Sequence, residues 1–349
     1  MLGEINQILE KVIKSRSLDH RECFSSVVPL PPDGAELRVE CSDREALEEI
    51  ERAVRDTIGP AAGKVTFVPL PDGSQTLPER FLTVTSVADI RRTPSHASEL
   101  VTQVIYGDVL LPLKEEGDWI LVRVDDGYIG WIRSWYVKQS SQEDAENFLK
   151  QADHRIAATV TQIFETPAQD GLPLTDAVIG TLVRSETCGT RGWRHVHLPD
   201  GRAGYAKARS LEPLKSCRSI SRNSLSSVGL KFLGVPYLWG GNTPKGFDCS
   251  GLVQRIFKLH GLLMPRDSDM QARFGRPKRS GMTDSLSTGD LLFFGKSEGH
   301  ITHVGMYLSD SLFLHAYGQV RINSVSRDHP LFEGKLVKDW RITRDPLGR

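Results

Sequence analysis

The hydrophobic and polar positions along the chain change period three times, and each change marks a different kind of structure. Residues 3–16 repeat apolar positions at helical spacing, 36–41 alternate like a strand, and 43–58 return to helical spacing. Ser42 stands at the N-cap of that second helix, with Glu45 at the capping-box position. Residues 64–70 read as a further strand closed by Pro71-Asp72-Gly73. This predicts a small N-terminal α/β unit over residues 1–79, without a catalytic constellation.

From Phe81 to about residue 139 the pattern becomes short alternating strands punctuated by Gly and Asp. A linker helix at 141–154 separates it from a similar stretch over 155–215. The two stretches align at an offset of 74: Trp119 with Trp193, Val122 with Val196, Asp126-Gly127 with Asp200-Gly201, and Gly130-Trp131 with Gly204-Tyr205. That implies a tandem duplication of a small β-domain built around an Asp-Gly hairpin turn, with copies at 80–140 and 155–215. From about residue 222 helices come first (224–233, 249–260) and strands follow from Asp290, an α+β order that continues to residue 349. His329 reads as a solvated residue of the polar tail after Val325.

Composition adds exclusions. The 349 residues carry 44 Lys+Arg and 44 Asp+Glu, so no net field recruits nucleic acid or an anionic membrane. No apolar run approaches the ~20 residues of a membrane span. The start, MLGEINQILEKVIKSR, does not read as a secretory signal, because Glu4 and Glu10 interrupt it. Five cysteines (23, 41, 188, 217, 249) without any CxxC fit a reducing compartment, and the expectation is a cytoplasmic location, or an exported one if the sequence is a processed form.

One segment carries chemistry. A Gly-rich loop, Pro236-Tyr237-Leu238-Trp239-Gly240-Gly241, leads through Gly246-Phe247-Asp248 to Cys249 at the start of an amphipathic helix. Helix-start amides favour a thiolate, so the thiol is expected to be acidic and nucleophilic, although a lone cysteine there is more often a small buried residue. Two histidines raise the catalytic reading. Residues 302–307 and 312–316 alternate around a turn at 309–311, and a hairpin centred on residue 309 sets His303 directly across from His315. Gly305 and Ala316 nearby are expected to leave open space. A base and a group orienting its second nitrogen need such a pair. Read instead as zinc ligands, Cys249, His303 and His315 would also number three. His195 and His197 share one face of a strand, but without a third ligand near in sequence they read as an exposed pair. No metal or organic cofactor is expected.

The motifs Y-x-W-G-G (from Tyr237), F-D-C-S-G-L (from Phe247), P-R-D-S-x-x-Q (from Pro265), G-D-L-L-F-F (from Gly289) and H-V-G-M-Y (from His303) occur in order over roughly 222–325. Together they resemble the NlpC-type cysteine peptidase family, and the closing W-x-x-V-x-x-x-D-G-x-x-G-[WY] of each repeat resembles bacterial SH3-type domains. With both repeats ahead of it, the chain is similar to the γ-D-glutamyl-L-diamino acid endopeptidases of the dipeptidyl-peptidase VI group. The resemblance implies a multi-domain α+β chain: a papain-like catalytic domain over 222–349 preceded by two SH3-like β-barrels. It implies cleavage between D-Glu and the diamino acid of murein-derived peptides, releasing L-Ala-D-Glu from stems with a free L-Ala amine.

By motif, Cys249 is the nucleophile, His303 the base, His315 the orienting third member, and Tyr237 a group beside the tetrahedral intermediate. Asp248, Ser250, Asp267 and Ser268 fall at positions that hold substrate, with Asp267 or Asp248 facing its ammonium. The competing reading of Arg266-Asp267 is a local surface ion pair. Trp239 walls the pocket or simply packs. In this group the first SH3-type domain closes the cleft, which makes Glu99 and Tyr128 candidates. The partners implied are murein peptides or peptidoglycan, with no nucleic acid and no membrane; the oligomeric state is open. The rival readings are a wall-binding module with an inactive catalytic domain, or a papain-like amidase or acyltransferase.

Overall fold

The computed structural model describes residues 1–31, 34–216 and 220–348. Cys217 and Arg349 lie outside the described residues. The chain forms two compact units. The first comprises residues 1–82, 92–96 and 109–145, and the second comprises residues 83–91, 97–108 and 146–349.

In the first unit, helix Leu2–Ser15 buries Ile5, Leu9 and Val12, one stripe at helical spacing. Strand Glu36–Cys41 pairs antiparallel with Ser25–Leu30 and parallel with Val65–Pro69, and helix Arg44–Ile58 makes the crossover that parallel strands require. The helix begins one residue later than the pattern suggested. Asp43, not Ser42, is the N-cap, accepting from Ala46 N at 2.7 Å. The Ser42 hydroxyl accepts instead from Phe24 N, and Glu45 pairs with Arg16 rather than closing a capping box. Strands Val109–Glu116, Trp119–Arg123 and Ile129–Arg133 follow as a meander, turned at Gly127 with φ +92°.

The second unit holds the second repeat whole: a seven-stranded sheet in which Trp193–His197 and Ala203–Lys207 lie 74 positions after Trp119–Arg123 and Ile129–Arg133. Gly201 turns with φ +91°, matching Gly127, so the duplication extends to backbone conformation. The hairpin Val87–Arg91/Leu100–Ile105 of the first repeat also belongs to the second unit, for reasons given below.

The rest of this unit is α+β. Helix Arg222–Leu230 is closed by a Ser221/Ser224 capping box. Helix Cys249–Lys258 is buried along most of its length, facing a six-stranded sheet. The strands run in the order Arg276–Lys278, Trp340–Asp345, Leu291–Ser297, His300–Tyr307, Leu312–Tyr317, Gln319–Ser324. Leu291 to Phe294 are all buried because both faces of this strand are covered. The tail returns to the sheet as Trp340–Asp345, pairing beside Leu291–Ser297. No helix among the described residues is long and apolar enough to cross a membrane.

Candidate active site

Cys249 is the first residue of its helix, and two features place it there. The segment before it is zipped back on the loop: Phe247 N donates to Pro236 O, and Leu238 N to Phe247 O. Asp248 then caps the helix, accepting from Gly251 N at 2.6 Å. Gly251 is obligatory because a Cβ would lie 2.1 Å from Gly241 O. The backbone N–H groups of Ser250 and of Val304, the residue after His303, act on the sulfur and favour its thiolate. Helix start and histidine strand therefore meet at this atom.

The histidines are on one face but not opposite one another. Met306 pairs with Leu314 and Tyr307 with Phe313, a register displaced by two residues from a hairpin centred on 309. The cause is the turn, where Asp310 and Ser311 both adopt positive φ (50° and 66°). A two-residue displacement preserves the face, so the rings become diagonal neighbours and His303 Nε2 still lies 2.8 Å from His315 Nδ1. The space expected beside Gly305 is filled: a Cβ there would meet Phe313 at 2.7 Å and His315 at 3.3 Å.

His315 Nε2 lies 2.9 Å from Asn323 Oδ1, and Asn323 Nδ2 donates to Leu331 O at 3.0 Å. That last bond fixes the whole chain of protons. With its amide committed to a carbonyl, Asn323 presents an oxygen, so His315 Nε2 carries the proton. Neutral His315 then offers a bare Nδ1, His303 Nε2 must donate to it, and His303 Nδ1 is left unprotonated. Both imidazoles are held neutral. Burial lowers His315 to about 4, and burial followed by the neighbouring His315 lowers His303 to about 3. Phe294, Phe313 and Tyr317 form the surrounding aromatic walls, with Tyr317 stacked parallel to His315.

The thiol departs from expectation. Burial, reinforced by the adjacent Asp248 carboxylate, pushes Cys249 up to about 12, against the opposing pull of the two N–H donors and Arg266. Cys249 is only 7% exposed, and desolvation disfavours a thiolate more than one helix terminus favours it. The resting pair is a neutral thiol and a neutral imidazole.

Tyr237 is half-buried, and burial, then the charges at Cys249 and Asp248, raise its phenol, which places the hydroxyl in the field of the sulfur. Asp248 does not await a substrate ammonium. Arg266, 1% exposed, holds both its oxygens (Nη2–Oδ2 2.6 Å, Nη1–Oδ1 3.1 Å), and Gly240 N and Ser250 Oγ add to the set. Arg266 is thus a buried partner of Asp248 and not a surface residue. Ser250 Oγ accepts from Arg266 as well, so it belongs to the same network. Asp267 stands at the N-cap position of the short helix Ser268–Gln271 without a side-chain capping bond, and Ser268 is buried.

Arg266 Nε also donates to Thr102 Oγ1, and Thr243 Oγ1 to Gln103 Oε1, which ties the hairpin of the first repeat to the catalytic loop. Gly240 lies so close to Leu100 that a Cβ would stand 2.2 Å from its carbonyl oxygen. Glu99, next along, accepts from Trp239 Nε1 at 2.8 Å. Trp239 is 64% exposed and forms a rim rather than core. Tyr128 belongs to the first unit, where it is buried at the Asp126-Gly127 turn.

The zinc alternative finds no support, since the two imidazoles spend facing nitrogens on each other, and the metal-type cluster among the described residues is elsewhere.

The NlpC/P60 family pattern matches residues 234–341, and that of the bacterial dipeptidyl-peptidase SH3 domain matches 90–134. A γ-D-glutamyl-L-lysine dipeptidyl-peptidase of Bacillus subtilis is 30% identical over 225 residues, 62% of this chain and 71% of that protein. The chain belongs to the NlpC/P60 family. It is a cysteine peptidase. Dipeptidyl-peptidase 6 of Lysinibacillus sphaericus is 28% identical over 269 residues, 73% of this chain and 95% of that protein. An NlpC/P60 family protein from Bacillus cereus shares the fold, with a TM-score of 0.67 at 22% identity over 77% of this chain and 99% of that one.

Two members of the peptidase's site have partners that the sequence does not reveal. Asn323 sits in a third strand, eight residues past His315, and only sheet register brings it to the relay. Arg266, inside the P-R-D-S motif, holds a carboxylate eighteen positions upstream.

Proposed function

We propose that this peptidase hydrolyses the γ-D-glutamyl-L-diamino acid bond of murein-derived peptides, releasing L-Ala-D-Glu from stems with a free L-Ala amine. The observation that carries the mechanism is the proton relay from His303 through His315 to Asn323. As the Cys249 sulfur attacks the γ-carbonyl, its proton passes to His303 Nδ1, and the resulting imidazolium is supported by the His315 Nδ1 lone pair. The Tyr237 hydroxyl and the Cys249 backbone amide face the developing oxyanion. His303 returns the proton to the leaving amine, and water activated at Nδ1 then hydrolyses the thioester. Two carboxylates, Glu99 held against Trp239 and Asp267 ahead of the helix Ser268–Gln271, supply the charge that receives the substrate ammonium.

Support for the substrate comes from the relatives, two of which are named for dipeptidyl-peptidase activity, and from the hairpin that brings Glu99 to the catalytic loop. The test is purified protein with L-Ala-γ-D-Glu-L-Lys and with the same peptide acetylated on its amine. Release of L-Ala-D-Glu from the free peptide alone, read by mass spectrometry, is expected. Equal cleavage of both removes the ammonium site, and cleavage of neither refutes the substrate assignment.

A further inference from the structure

The second repeat carries a ligand cluster that peptide hydrolysis does not use. Strands Leu182–Thr187 and Trp193–His197 pair antiparallel with Glu186 opposite His195 and Arg184 opposite His197. His195 and His197, two positions apart, share a face, and Glu186 joins them from across the ladder. One donor atom from each lies within 4.8 Å of the others. Glu186 Oε1 is 3.3 Å from His197 Nε2, and Oε2 is 4.0 Å from His195 Nδ1.

A second observation points the same way. His197 Nε2 is itself shielded from solvent and makes no hydrogen bond, although it lies this close to a carboxylate. Buried polar atoms are rarely left so. We propose that Glu186, His195 and His197 bind one divalent transition cation, with zinc as the occupant. Two imidazoles and a carboxylate suit zinc better than magnesium or calcium, which favour all-oxygen sets. Ligand atoms around a tetrahedral zinc stand ~3.4 Å apart, given bonds of ~2.1 Å. Closure from 4.8 Å therefore needs only side-chain rotation, which the exposed Glu186 permits. The cation displaces one surface contact, Arg184 Nη2 to Glu186 Oε1 at 3.3 Å, of the kind that contributes little. The Tyr205 ring, 5.0 Å from that of His195, steadies the imidazole. Bound zinc cross-links the two strands and keeps its fourth position for water or an external anion.

The experiment is calorimetric titration of zinc into the full chain carrying Cys249→Ala, which removes the catalytic thiol as a competing ligand, with cobalt as a spectroscopic probe. One equivalent is expected to bind at micromolar zinc, with a cobalt spectrum free of thiolate charge transfer and a raised unfolding temperature. His195→Gln and His197→Gln should each weaken binding about tenfold or more while leaving the metal-free unfolding temperature unchanged. Zinc binding that is unaltered in the double variant, a thiolate cobalt spectrum, or no binding at ~0.1 mM zinc overturns the proposal.

Discussion

Asn323→Asp is a one-atom change that inverts the proton chain. In the wild type, His315 is neutral and lies 2.9 Å from the amide oxygen. A carboxylate at the same place interacts with an imidazolium by ~332/(20 × 2.9), about 6 kcal/mol at an effective dielectric of ~20, or about four pKa units. That lifts His315 from about 4 to at most about 8. Protonated His315 donates from both nitrogens, so His303 Nε2 must accept, and the proton moves to His303 Nδ1, where the base is needed. At pH 6 only about 1–10% of the variant keeps the productive arrangement, so kcat on the tripeptide falls about 10- to 100-fold and recovers toward wild type near pH 9. The ratio of variant to wild-type kcat cancels any titration of the substrate amine. A ratio constant between pH 5.5 and 9, in a variant with unchanged unfolding temperature, refutes the assigned tautomers.

Stability should fall with acid for the same structural reason. His315 titrates in the native state at about 4 and unfolded near 6.5; the unfolded chain therefore binds protons first and stability rises with pH. Its share of the loss between pH 8 and pH 5 is about 2 kcal/mol, with His303 acting in the same direction. Denaturant midpoints at the two pH values measure it, and an equal midpoint, or an unchanged slope in His315→Gln, contradicts the burial argument. Iodoacetamide should modify Cys249 no faster than an ordinary thiol at pH 6, because the free chain holds it protonated. Rapid alkylation there would show a resting ion pair.

Much of the site was legible because its logic is local. Cys249 at a helix start and two histidines on alternating strands need only periodicities of 3.6 and 2. What the sequence did not show depends on energies or distances that cross elements. The turn at Asp310-Ser311 shifted the register by two without changing the face. The helix terminus suggested an acidic thiol, but the Asp248 cap and the closed surroundings outweigh it. Asn323 and Arg266 are placed by sheet register and by burial. Glu186 is nine residues before His195, close in the chain yet invisible as a third ligand until the ladder sets it opposite.

The central claim is that Cys249 attacks and His303 moves the proton. It is tested most directly by kcat on L-Ala-γ-D-Glu-L-Lys for Cys249→Ala, His303→Ala and His315→Ala, each checked for an unchanged fold. The first two should lose turnover by about 10³-fold or more, and His315→Ala should retain more than either, because it acts through His303. Turnover within about tenfold of wild type in Cys249→Ala or His303→Ala would contradict the account.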